Sequence, residues 1–146
     1  MKNVFPPLIE SWFQLLDGQL TYSGKDVHVY KEDAPNTEEY HFVVLRAESD
    51  TDASHKAGFV TNATVIVEVV TVHLVSVQPS VVDDIDGQIR GLLFPTRQCA
   101  LPPMVGLQIA GVTIQGGTYL KDSDGTKKYH RKVTRFIHRI TQTATS

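Results

Sequence analysis

The stretch Val60-Thr61-Asn62-Ala63-Thr64-Val65-Ile66-Val67-Glu68-Val69-Val70-Thr71 decides the fold. Ala63, Val65, Val67 and Val69 alternate with Thr64, Ile66, Glu68 and Val70. That is the two-residue period of a strand, in a run whose β-branched residues favour extended backbone. With its flanks the strand covers residues 59–74. At roughly 3.3 Å per residue it would run about 50 Å, long for a small domain, so a bend or a projecting hairpin is expected.

Toward the C-terminus, residues 79–93 form a helix. Val81, Val82, Ile85, Ile89, Leu92 and Leu93 share one face and the acids take the other. Ser80 is the expected N-cap, Asp83 and Asp84 would favour the positive end of the helix dipole, and Pro95 closes the segment. A strand over residues 106–120 follows, with Gly111 and Gly116-Gly117 marking a bulge or bend. Residues 122–126 supply a hairpin turn around Asp124-Gly125, and residues 128–142 pair back antiparallel. Residues 143–146 are a short polar tail.

Toward the N-terminus, polar residues 50–57 make a loop, and residues 40–49 a strand rich in aromatic and β-branched side chains. Residues 31–39 form another polar loop, after a half-buried strand over residues 26–30. Residues 7–20 read as an amphipathic helix with Leu8, Trp12, Leu15 and Leu16 on one face and Gly18 ending it. The order is helix, three strands, helix, two strands. Short turns imply antiparallel pairing, giving an α+β fold: a mainly antiparallel sheet of about five strands with two helices on one face.

The 146 residues suffice for one compact domain and hardly for two, and neither a repeat nor a linker divides them, so residues 1–146 are read as a single domain. With 41% hydrophobic and 21% charged residues, wholesale disorder is excluded. The start of the chain lacks the apolar segment and cleavage site of a secretion signal. Apolar runs fall short of the roughly 20 residues a membrane helix needs. The expectation is a protein made in the cytoplasm, with no membrane partner. The net charge of −2 hides a gradient. Residues 1–90 hold 14 acids and 6 bases, a charge of −8, whereas residues 91–146 hold 2 acids and 8 bases, a charge of +6. Such segregation marks an interaction surface, because opposite ends of neighbouring copies attract.

Catalytic motifs are not apparent. There is no glycine-rich phosphate loop, nucleophile elbow or His-Glu-x-x-His pattern. The lone Cys99 sits among prolines and reads as a small loop residue rather than a nucleophile. The six histidines are scattered, although His130 and His138 could approach His73 across adjacent strands. Asp83, Asp84 and Asp86 read as dipole partners and solvating charge rather than acid–base groups. Asp122, Asp124 and Gly125 resemble the start of a calcium loop, but Val133 stands where its closing glutamate would be, so a tight turn is the better reading. No cofactor or metal is implied, and the expectation is a protein that is not an enzyme.

The basic strand at the C-terminus carries the most information. Alternation puts Arg131, Arg135 and Arg139 on one face with Val133 and Ile137, while Lys132, Phe136 and Ile140 take the other. Lys127 and Lys128 extend the patch at the hairpin. A row of arginines binds phosphates without reading sequence, or pairs with an acidic neighbour.

The strand at residues 60–71, a short link, the helix at residues 80–93, a proline-rich loop and the closing strand Lys132-Val133-Thr134-Arg135-Phe136-Ile137-His138-Arg139-Ile140-Thr141-Gln142 together resemble the tail-completion and tail-terminator proteins of tailed phages, with related head–tail ring proteins. The resemblance covers residues 5–142 and lies in element order and hydrophobic texture rather than in fixed residues. It implies a virion structural subunit forming a closed ring, six-fold or twelve-fold, at the head–tail junction or tail end. Portal, adaptor or tail-tube proteins would be its partners, and it brings no catalytic residues. On that reading Lys127, Lys128, Arg131, Arg135 and Arg139 face an acidic neighbour or the lumen through which DNA passes. Asp50, Asp52, His55, Lys56, Asp122 and Asp124 are candidates for contacts with adjoining rings. Two other readings stand beside it: a sequence-independent nucleic-acid-binding module using the basic strand, and a small enzyme with a composite site.

Overall fold

A computed structural model describes residues 3–35, 40–54, 59–74 and 76–142. Its centre is the strand singled out above, here β5 (Val60–His73). It lies between β4 (Phe42–Asp52) and β7 (Lys127–Gln142), antiparallel to both. Outside these lie β3 (His28–Lys31) and β6 (Leu107–Asp124), giving the sheet order β3-β4-β5-β7-β6. A small separate ribbon pairs β1 (Thr21–Tyr22) with β2 (Lys25–Asp26). The helices are α1 (Phe5–Leu16) and α2 (Pro79–Leu93). The fold is α+β with a mostly antiparallel five-stranded sheet.

Both helices lie against one face. Leu8, Trp12 and Leu16 of α1 and Val82, Ile85, Ile89 and Leu93 of α2 enter one core with Val43, Leu45, Ala63, Val65, Val67, Val69, Phe136 and Ile140 of the sheet. The alternation in β5 is thus a division between the helix face and an open face. Thr64, Glu68 and Val70 on the open side are also buried, because β5 is central and long neighbouring side chains fold over it. At about 1.5 Å per residue the 12 and 15 residues of the helices reach only about half the length of the 14-residue β5. The segment between α2 and β6 fills in. Ala100 N–H donates to Leu93 O (2.7 Å), Ser11 Oγ donates to Pro102 O (2.7 Å), and Cys99, Leu101 and Met104 pack on the core.

Four local expectations are corrected. The first strand was expected to pair antiparallel, but β3 runs parallel to β4 in register His28↔Phe42. The intervening polar residues are numerous enough for the chain to return the length of so short a strand. The first helix begins at Phe5 and ends at Leu16 rather than spanning residues 7–20, because prolines fit the first turn, where their missing N–H groups have no intrahelical partner. Ser80 is not the N-cap of α2: Gln78 is, Pro79 opens the helix, and no acid lies in its first turn. The last hairpin is tighter than expected, since β6 runs on to Asp124 and only Gly125-Thr126 separate it from β7. Gly125 takes φ +59°, the left-handed conformation that glycine permits at a two-residue turn.

The expected irregularities in β6 are present as register shifts between Ile109 and Gly111 and between Gln115 and Gly117. At Gly117 a Cβ would come within 2.6 Å of Lys132 Cε, so the lysine side chain would have to shift to admit one. The glycine therefore makes room for the Lys132 stem as it crosses the sheet toward α2.

Candidate functional site

On β7 alternation sorts the basic residues. Lys127, Arg131, Arg135 and Arg139 project to the open face, and Lys128 and Lys132 to the helix face. Two of the open-face arginines have carboxylates on their own chain. Glu68, only 5% exposed, lies between Arg46 Nη1 (2.9 Å) and Arg131 Nη1 (3.3 Å). Arg131 also reaches toward Asp122 (3.8 Å) and sits over the Tyr129 ring. Arg135 Nε meets both oxygens of Glu48 at 3.1 and 2.9 Å. Arg139 is exposed and has no ion pair among the described residues. The arginine row is therefore an ionic lattice tying β4, β5 and β7 together, with Arg139 as its free end. Alternation puts Glu68 on the arginine side of the central strand, and the register of β5 with β7 then brings it to Arg131.

Lys132 serves the other face. Its ammonium meets Asp86 (2.9 Å) and Asp83 (3.4 Å), and Asp83 accepts from Tyr119 Oη (2.7 Å). Asp86 also holds Arg90 (2.9 Å) and is 4% exposed. Burial alone would pull the Lys132 pKa down, but its hydrogen bonds to Asp86 and Tyr119 outweigh this and leave it raised. Two of the helix acids are thus ion-pair tethers between α2 and β7, while Asp84 accepts from Gln88.

The other surface residues fall at opposite ends of the long strands. Asp50 and Asp52 are exposed at the end of β4, and Asp52 Oδ1 caps the Ser54 N–H (2.8 Å). Asp122 is exposed near the β6–β7 turn, with Asp124 the last residue of β6. Asp52 is level with Thr61 and Asp122, through Tyr129, with Val72. At about 3.3 Å per residue the two groups lie about 36 Å apart. His55 and Lys56 lie outside the described residues, as does the polar tail.

The histidines do not converge as a metal site. His138 is fully buried, with Nε2 accepting from Trp12 Nε1–H (2.9 Å) and Nδ1 placed 2.9 Å from Ala63 O. Burial, opposed by its backbone hydrogen bonds, lowers its pKa to about 4. His73 lies beside His41 (ring centroids 5.8 Å) and hydrogen-bonds Thr71 Oγ1 (2.9 Å), which itself donates to His130 O. Burial lowers all three pKa values, that of His41 to about 4. Among the described residues no group of three His, Cys, Asp or Glu is placed to hold a metal ion. A cleft of about 660 Å³ opens between residues 94–104 and the start of β6, but no His, Asp or Glu lines it. Cys99 on its wall has its thiol pKa raised by burial, away from the thiolate a nucleophile needs.

Comparison with protein families and with curated proteins finds no match. The fold, however, has a solved counterpart. The chain is similar to one in the structure of the virion of a native gene transfer agent (GTA) particle, with TM-score 0.67 and 16% identity. The match covers 95% of this chain and 99% of the other. At that identity the likeness is one of fold, and it extends over nearly the whole of both chains.

Proposed function

We propose that this chain is a non-enzymatic structural subunit of a phage-like virion, forming a closed ring at the head–tail junction or tail end as a terminator, completion or connector protein. One observation carries the reading: a fold match end to end with a chain from a gene transfer agent virion. A match confined to the sheet would support only a shared motif. One that accounts for both helices and all the long strands supports a shared structural role as well. The groups about 36 Å apart at opposite ends of the strands suit contacts with proteins above and below, such as a portal or adaptor on one side and a tail tube on the other.

The basic strand also bears on the nucleic-acid-binding alternative. Arg131 and Arg135 are neutralised by Glu68, Asp122 and Glu48. That weakens the patch as a free-standing duplex binder, whose affinity would come from unpaired cations. Any DNA contact falls to Arg139 and the hairpin lysines, as a glancing contact with a passing genome. Particles assembled without this chain test the reading. The expected outcome is filled heads and tail tubes accumulating unjoined or irregularly ended, with infectivity or transfer reduced at least a hundredfold. Intact, joined particles would remove it.

A further inference from the structure

The sheet order converts the charge gradient along the chain into a lateral one. At the β3–β4 flank Asp26, Glu32 and Asp33 are exposed, while the basic residues there are engaged. Lys31 is paired with Glu10 (2.9 Å), Arg46 with Glu68, and Lys25 sits over the Tyr40 ring. At the opposite flank Lys121 and Lys128 are exposed, and neither forms an ion pair among the described residues.

The two flanks also differ as edges. β3 is a four-residue edge, whereas β6 presents 18 residues along a side that no strand among the described residues covers. Residues 107–120 of it contain no charge and no proline. Proteins usually blunt a long exposed edge with lysines, prolines, inward-facing charges or bulges, because an unblunted one templates pairing with another chain, and of these β6 has only its two bulges over residues 107–120. Tyr119 and Leu120 on this edge are about half exposed.

Register places the two flanks at matching heights. His28 is level with Phe42, Val70, Arg131 and, at the far side, Leu120. Asp26, two residues before His28, therefore lies at the level of Asp122 and Tyr129, one residue from Lys121 and from Lys128, while the Asp122 carboxylate is turned to the open face toward Arg131. In a ring whose axis runs along the strands, such levels are kept from one copy to the next.

We infer that the partner of the β6 edge is a second copy of this chain, bound through its β3 flank, so that Lys121 and Lys128 of one copy meet Asp26 of the next. The inference rests on the ring reading above. The contact joins different surfaces, so it propagates around a ring instead of stopping at a dimer.

Full-length protein with Lys121→Glu and Lys128→Glu, with Asp26→Lys, and with all three substitutions tests this by light scattering and negative-stain imaging. The lysine-reversed and the Asp26→Lys variants should each need at least tenfold more protein to assemble while melting cooperatively, and the triple variant should recover rings through the reversed charges. Single-flank variants that assemble like the wild type would overturn this contact and leave the ring reading standing. Failure of the triple variant to recover, with its fold intact, would also overturn it. Wild-type protein that never assembles would remove the ring reading and this contact together.

Discussion

Trp12→Ala is expected to lower the unfolding free energy by about 5 kcal/mol at neutral pH, a large share of what a domain of this size possesses. The side chain is completely buried, packs on Phe136 with ring centroids 5.0 Å apart, and stands edge-on to His138. Truncating such a residue typically costs about 3–5 kcal/mol, because the walls of the cavity relax only in part. The indole N–H is also the donor to His138 Nε2, and its loss leaves a buried acceptor unpaired, a further penalty of about 1–3 kcal/mol. Trp12→Phe keeps most of the packing and should lose about 1–2 kcal/mol, chiefly that hydrogen bond. Urea unfolding followed by circular dichroism reads both, since fluorescence would lose its only tryptophan. A loss below about 1 kcal/mol for Trp12→Ala would mean that the helix–sheet core is not organised around this residue.

Stability should also fall steeply as the solution is acidified below neutrality. The indole N–H can only donate, so His138 Nε2 must accept and its proton sits on Nδ1, donating to Ala63 O. Protonation would put a second N–H against the Trp12 donor inside the core. The folded-state pKa is accordingly about 4, below the ordinary histidine value of 6.5. The unfolded chain then binds the proton first, so the stabilisation is fully present above pH 6.5. It is lost as pH falls toward 4 and amounts to about 3 kcal/mol for this one group. His41, also lowered to about 4, acts in the same direction. Together they give a slope near pH 5 of about 2.4 kcal/mol per pH unit. His73 and His130 add to it. Urea midpoints between pH 7.5 and 4.5 measure the slope, and His138→Gln should remove about one proton's share of it. A flat profile would show that these histidines titrate normally.

Much of the fold was legible because its strongest signals are local. The alternation in residues 60–71 identified the long strand, the apolar spacing in residues 79–93 matched α2 end to end, and glycines marked the bulges in β6. The side on which each basic residue of β7 lies also followed from alternation alone. What escaped depended on distance along the chain. Trp12 and His138 are 126 residues apart, and nothing near either residue names the other. The parallel pairing of β3 escaped because a polar loop carries no mark of the direction in which it returns. At the candidate site the arginine row was legible, but its neutralisation by Glu48 and Glu68 depends on strand order and register, which the sequence does not spell out.

The central claim is that copies of this chain close into a ring. Light scattering of the wild-type protein across concentration, with negative-stain imaging of the same fractions, tests it most directly. The account predicts one discrete mass at an integral multiple of 16.2 kDa and annular particles of uniform diameter. A mass fixed at one chain over the whole range, with no annular particles even when tail-tube or portal protein is added, would contradict it.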